Sequence, residues 1–434
     1  MIPSWRFSIS IACIGLWFLA GLIPPVAAED WPQWRGPRSD SSWYGPELPE
    51  KWPEGGLKAA WTKPVGGGYG GIAVSGSRLY VMDRQKGPPE VERVLCFDTE
   101  TGDEIWNMTY PVQYKNLDYG NGPRATPTVY DGKVYSFGAL GHAYCLDAEN
   151  GKSLWSKDPQ VDYRVKLPEW GLAASPVIFD QFVVLHPGAE PDGCLIAFDR
   201  ITGKEVWRSG KDPAGYCTPI LADTPSGTQL ILWSPEHILG FDPRTGHQNW
   251  NVPYKVTYGV SIATPIYQEG LVFVGGYWEG SKAIRLGKTA SEANLEWSES
   301  KNLRGLMSPP LYRQGLVYLL DKQYGLTCFE LATGKKLWDD KNTLTPRGRN
   351  PQASLVWLDR EPVNADKSGN AQSDRVIALN SEGELILARL TRDGYRESAR
   401  TKIIEPTWAH PAFAGNRVFA RNDTTLVCVE LCPK

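Results

Sequence analysis

Tyr69, Tyr119, Trp170, Tyr216, Tyr258 and Trp408 recur along the chain at wide, fairly regular intervals, and Arg124, Glu169, Arg304, Arg347 and Arg349 fall in the same class of segment. Such a set does the chemistry of recognition. Aromatic faces stack on planar rings or on sugars, and guanidinium groups pair bidentately with carboxylates. The structural alternative is that these side chains pack loops together and satisfy backbone carbonyls. Covalent chemistry finds less support. The five histidines, His142, His186, His237, His247 and His410, are dispersed without metal-ligand spacing. No Gly-x-Ser-x-Gly elbow occurs. Gly66-x-Gly68-x-x-Gly71 matches a dinucleotide fingerprint by letters, but it runs into the strand Ile72 to Val74 and not into a helix. No catalytic residue and no metal site are therefore assigned.

The segments carrying the aromatics are spaced by a repeat. Asp98-Thr99-Glu100-Thr101-Gly102 leads to Trp106, and the frame returns at Asp147 to Trp155, Asp199 to Trp207, Asp242 to Trp250 and Glu330 to Trp338. A decayed copy, Arg285 to Trp297, keeps the frame and the Trp. An Asp side chain can accept from amides two residues on, and Gly supplies the left-handed conformation of a bulged turn. The Trp offers a large apolar face with one N–H that needs a partner, which suits docking against a neighbouring unit. Trp61, Trp106, Trp155, Trp207, Trp250, Trp297 and Trp338 are accordingly read as docking residues.

Around the second copy, Thr126 to Tyr130, Lys133 to Phe137, Ala143 to Leu146 and Ser153 to Trp155 read as four antiparallel strands, with Asp131-Gly132 as a hairpin signal. Four strands in about 45 residues make one propeller blade. Strand-opening signals at Tyr69 to Val74, Thr126, Ser175, Thr218, Thr264, Ser308, Gln352 to Ser354 and His410 count eight blades. The eighth lacks a fourth strand, and Leu57 to Trp61 is the strand available to close it. The expected fold is all-β: an eight-bladed propeller of four-stranded antiparallel blades over 57–434, its ring closed by an N-terminal strand. The loops between blades crowd one mouth of its channel, where the aromatics would gather. His142, Tyr277, Trp278, Glu279 and Tyr324 belong to second-to-third-strand loops on the same face. Blade seven carries a polar insertion, Pro362 to Ser373.

Ala197-Phe198-Asp199-Arg200-Ile201-Thr202-Gly203-Lys204-Glu205-Val206-Trp207 resembles the tryptophan-docking motif of pyrroloquinoline-quinone (PQQ) type propellers, and the match runs over 57–432. One branch, the quinoprotein alcohol dehydrogenases, implies PQQ and calcium in the central funnel, the quinone stacked between a Trp and a ring of two adjacent bonded cysteines. Trp170 would stack and Arg124 or Arg304 would take the quinone carboxylates, but no Cys-Cys pair and no Cys-x-x-Cys-His haem motif exist here. The other branch implies a non-catalytic propeller that holds partner proteins, as in the lipoprotein of the outer-membrane β-barrel assembly machinery. Secreted PQQ-like propellers opening with Trp-Pro-x-Trp-Arg-Gly-Pro are similar at Trp31 to Pro37.

Bulk properties agree with a folded, exported monomer. The 44 Gly, 34 Pro and 18 Trp suit many short strands, and a net charge of -3 with no basic run argues against nucleic acid. Residues 1–28, with Arg6, an apolar stretch from Phe7 and Val26-Ala27-Ala28, read as a signal peptide. The periplasm or the exterior follows, with no membrane span after cleavage. Residues 29–56 hold Trp31, Trp34, Trp43 and Trp52 and are expected to pack on the propeller, either plugging the funnel or lying along its wall. Cys96, Cys145, Cys328 and Cys428 share one repeat position and read as core; Cys194, Cys217 and Cys432 are unassigned. The expectation is a binding or scaffolding module without a cofactor, for a protein partner, a small planar or anionic molecule, or a sugar. The alternatives are a PQQ oxidoreductase and a carbohydrate-processing protein.

Overall fold

The computed structural model describes residues 29–115, 117–359 and 372–432. Residues 1–28, read above as a signal peptide, and most of the polar insertion of blade seven lie outside them. Blade 1 contains Ala73–Ser75, Arg78–Gln85, Val91–Asp98 and Glu104–Pro111, here strands A to D from the axis outward. The same order repeats through blade 8, giving seven four-stranded sheets and one of five. Neighbouring blades cover both faces of the middle strands, so those strands are continuous apolar runs such as Leu79 to Met82. The outer strand of blade 1 alternates instead, burying Trp106 and Tyr110.

The acidic turns hold the C and D strands together. Asp98 Oδ1 accepts from the amides of Glu100 (2.8 Å) and Thr101 (2.9 Å), and Gly102 sits at φ +70°. Asp147, Asp199 and Asp242 repeat this geometry. Each indole then reaches the next blade's turn, donating to the carbonyl one residue past its first position. Trp61 donates to Thr99 (3.1 Å), Trp106 to Ala148 (3.2 Å), Trp155 to Arg200 (3.1 Å), Trp207 to Pro243 (3.2 Å), Trp297 to Leu331 (2.8 Å) and Trp338 to Thr391 (3.1 Å). Trp250 departs from the series, donating to Gln229 Oε1 of its own blade (2.8 Å). Blade 5, which it faces, has replaced the Asp-Thr-Gly turn by one in which Glu292 caps the amides of Lys288 and Thr289.

Ala59–Pro64 pairs antiparallel with Thr425–Glu430, placing Trp61 opposite Cys428 and closing the ring. The strand lies slightly C-terminal to the expected Leu57 to Trp61, because Gly55 and Gly56, at φ +84° and +77°, still turn the chain before it. The pairing covers the edge of Thr425–Glu430, which would otherwise be open, and completes blade 8 as a four-stranded sheet.

The N-terminal extension takes both expected courses: its first half plugs the channel, and its second half lies along blade 7. There Arg375 donates to the carbonyls of Leu48 and Pro49, and Trp52 Nε1 donates to Leu385 O. Trp31 bridges Val74 on the A strand of blade 1, and Pro32 O accepts from Val129 on that of blade 2. Trp34 Nε1 donates to Thr264 Oγ1 of blade 5 (2.8 Å), and Arg35 Nη2 to Pro310 O of blade 6 (3.2 Å). After the turn at Gly36 (φ +82°), Ser42–Tyr44 runs parallel to the A strand of blade 7, Ala353–Asp359. Trp31 and Trp43 both pack on Phe413 of blade 8. The Trp-rich motif is thus the hydrophobic hub of the ring. The seven described cysteines are all free thiols, and six of them, including Cys194 and Cys217, are buried.

Candidate functional site

Above the plug the channel opens into a blind funnel of ≈ 870 Å³. Its mouth is framed by inter-blade loops, as expected: Tyr69, Tyr119, Arg124, Glu169, Trp170, Tyr216, Tyr258 and Trp408 all line it, joined by Asp118, Arg349, Asn350, Tyr277 and Trp278. Arg304 and Arg347 are not among its lining residues. Arg304 instead donates to Gln323 Oε1 (2.8 Å), and Arg347 is exposed. Glu279 is held by Thr257, His142 lies beside Asp158, and Lys336 covers the ring of Tyr324.

The aromatics form a chain around half the rim. Tyr69 stacks on Trp408 (5.8 Å between centroids), Trp408 packs tilted against Tyr119 (5.6 Å), Tyr119 meets Trp170 edge-on (6.4 Å) and Trp170 packs tilted against Tyr216 (5.2 Å). Tyr216 is wall, only 6 % exposed, whereas Tyr119, Trp278 and Tyr258 stand out at 41 %, 48 % and 70 %. Tyr119 and Tyr258 also hold left-handed backbones, φ +50° and +55°. A bulky side chain in that region is strained, and such strain gathers where a structure presents residues to ligands.

Arg124 is fixed entirely by main chain, donating to the carbonyls of Gly122, Asp118 and Tyr119. Burial pushes its pKa down, and no carboxylate bonds to it. Its guanidinium lies 5.6 Å from the Tyr69 ring centroid. Burial, followed by the Asp423 charge, raises the Tyr69 hydroxyl above its usual range, and burial raises that of Tyr216 to about 12. Both phenols therefore stay protonated and available as donors at neutral pH.

The floor was not legible as a site. Trp34 lies edge-on to His410, 4.3 Å between centroids. Gln352 Oε1 accepts from Ser308, so its Nε2 donates to His410 Nε2 (3.1 Å), and His410 Nδ1 meets Ser354 Oγ at 2.8 Å. Burial, aided by the Arg35 charge, depresses His410 to about 3, so this imidazole stays neutral. Around it stand Ser175, Thr218 and Thr264, with Val260, Ile262, Leu306 and Met307 as an apolar collar. The Ser/Thr-Pro pairs were readable as strand openers. Their second use is a belt: Gly71 N bonds to Thr126 Oγ1, Thr126 N to Ser175 Oγ and Ser175 N to Thr218 Oγ1.

A family model described as outer membrane protein assembly factor BamB matches residues 50–209, 90–339 and 236–432. The chain belongs to the BamB family. No curated protein matches it. Among solved structures, this BamB-family propeller is similar to BamB from Moraxella catarrhalis, with TM-score 0.56 and 14% identity over 86% of this chain and 97% of that one. It is also similar to the quinohemoprotein alcohol dehydrogenase from Comamonas testosteroni, with TM-score 0.63 and 15% identity over 93% and 81%. A europium-containing methanol dehydrogenase gives TM-score 0.55 and 14% identity over 82% of each chain. At these identities the likeness is one of fold.

The funnel of this BamB-family member does not reproduce the quinone pocket that the dehydrogenase resemblance implies. No cysteine lines it, and Trp170 has its neighbours in Tyr119 and Tyr216. Among the described residues no group of three or more His, Cys, Asp or Glu is gathered to hold a metal ion.

Proposed function

We propose that this BamB-family propeller is an exported binding module, freed of residues 1–28, that captures a ligand or a partner segment in its aromatic funnel and performs no chemistry on it. The observation that carries the reading is the funnel itself: ≈ 870 Å³, closed below by Trp34, with exposed aromatic side chains at its mouth. Concave sites of this size lined by aromatic groups and a few fixed polar ones are what binding sites look like. The family's description as an outer membrane protein assembly factor favours a protein partner, and an extended segment entering the mouth is one way to hold it.

No helix among the described residues is long and apolar enough to cross a membrane. The test is capture by the purified protein. Trp170→Ala and Trp408→Ala should each abolish ligand or partner capture while the unfolding midpoint moves little. Undiminished capture by both variants would place the site elsewhere.

A further inference from the structure

The base of the funnel carries hydroxyl groups whose bonding is half complete. Ser175 Oγ accepts from Thr126 N (3.0 Å), Thr218 Oγ1 from Ser175 N (2.9 Å) and Thr264 Oγ1 from Trp34 Nε1 (2.8 Å). These side chains are buried, at 3 %, 7 % and 2 % exposure, and they line the cavity. None of the three donates its O–H to an acceptor among the described residues. Thr128, two residues beyond Thr126, shows the contrast by donating to Pro176 O at 2.7 Å. A buried donor left without an acceptor is unfavourable, so three on adjacent blades form a receptor for an oxygen-rich group.

Charge favours an anion there. The lining carboxylates, Asp118 and Glu169, belong to the inter-blade loops at the mouth, where Arg124 and Arg349 balance them. Beside the floor lies the buried Arg35, which shares a small cavity with Trp34 and His410. It donates to Ser41 Oγ and to the carbonyls of Asp40 and Pro310 and has no carboxylate hydrogen-bonded to it among the described residues, the nearby Asp40 carboxylate, which accepts from Ser42, offsetting its charge in part. The mouth speaks for the rest of the ligand. Its aromatic faces are spread around the rim, which suits a molecule with several rings in series. Sugar faces stack on such platforms, and their hydroxyls bond to Tyr and Arg.

We propose that the hydroxyls of Ser175, Thr218 and Thr264 receive the anionic end, carboxylate or sulfate, of a saccharide chain whose rings stack on the aromatic mouth. The inference rests on the funnel being the binding site and deepens that reading.

The experiment is calorimetric titration of the purified protein with trigalacturonate, with its fully methyl-esterified form, and with a sulfated carrageenan oligosaccharide. The acid or the sulfate should bind at least about 10-fold tighter than the neutral ester, since charge-assisted hydrogen bonds are roughly twice as strong as neutral ones. Whichever of the two binds identifies the oxyanion. Equal affinity for acid and ester overturns the anion receptor and leaves the funnel reading intact. No saturable binding of any of the three overturns the saccharide proposal, and capture by Trp170→Ala and Trp408→Ala then decides the funnel separately. Thr218→Val should erase the preference for acid over ester, and Thr218→Ser should restore it. Should the valine variant fail to fold, the comparison of acid with ester on the unaltered protein still decides.

Discussion

Trp34 meets His410 edge-on at 4.3 Å, so a residue near the start of the described chain and one from its last blade together close the channel beneath the mouth. Trp34→Ala removes that contact and the bond to Thr264. It should lower unfolding free energy by about 2 kcal/mol in urea titration, below the range for deleting a fully buried indole because Trp34 is half-buried on the funnel floor. A change below about 0.5 kcal/mol, the scale of an ordinary surface substitution, would mean that the plug is not docked in solution.

Ring closure can be weighed through Trp61. Trp61→Phe keeps the aromatic face and loses the bond to Thr99, a loss of about 1 kcal/mol; Trp61→Ala should cost about 3 kcal/mol. Equilibrium unfolding measures both. Equal stability of all three proteins would show that the closing strand contributes little.

Gly203 and Gly132 make a matched pair. Both sit at φ +68°, but a Cβ at Gly203 would lie 2.7 Å from Trp155 Cγ, while one at Gly132 meets nothing within 4 Å. Alanine at either position carries the left-handed backbone penalty of about 1 kcal/mol. Only Gly203→Ala adds the clash, so it should be the more destabilising by about 1 to 3 kcal/mol. Thermal or urea melts of the two variants give the difference directly.

Acid should weaken the fold through two imidazoles, the buried His186 and the half-buried His410 on the funnel floor. Burial depresses His410 to about 3 and His186 to about 4, both below the ordinary value of 6.5. The unfolded chain therefore binds their protons first. Their stabilisation is fully present above pH 6.5 and is lost as pH falls toward 4, with a slope of about 1.4 kcal/mol per pH unit from each. Urea midpoints measured between pH 7 and pH 4.5 should follow that slope, and His186→Asn should remove about half of it. A flat profile would count against neutral burial.

Quinone titration addresses the dehydrogenase relatives. Since no cysteine lines the funnel, PQQ with calcium is expected to show neither saturable binding at high micromolar concentration nor dye-linked alcohol oxidation. Either signal would restore the oxidoreductase reading.

Much of this molecule could be read from its residues because a propeller is built from local devices. Asp98, Gly102 and Trp106 each have one mechanical task, and repetition let the blades be counted and the closing strand be found. The mouth was legible for the same reason, since Tyr69 to Trp408 fall at one loop position per blade. The floor was not. Trp34 and His410 meet only because the N-terminal segment threads the axis, and nothing local in Trp31 to Pro37 specifies that route. Ser175, Thr218 and Thr264 each precede a proline that marks a strand start, and nothing local to the pair says that the hydroxyl will face the channel. Trp250 shows the same limit from the other side, since its bond depends on what blade 5 lost.

The pairing of Ala59–Pro64 with Thr425–Glu430 also has a consequence in time. One strand of that sheet precedes blade 1 and its partner belongs to blade 8, so the sheet cannot form until all eight blades have been made. Contacts spanning such a sequence distance form slowly. Blades 1 to 7 can each hydrogen-bond their own A to D strands beforehand, but the circle waits, and the early Trp-rich stretch must be held clear of aggregation until then. Closure is thus the step at which a chain carrying all eight blades is told apart from one that lacks the last, a form of quality control written into the topology.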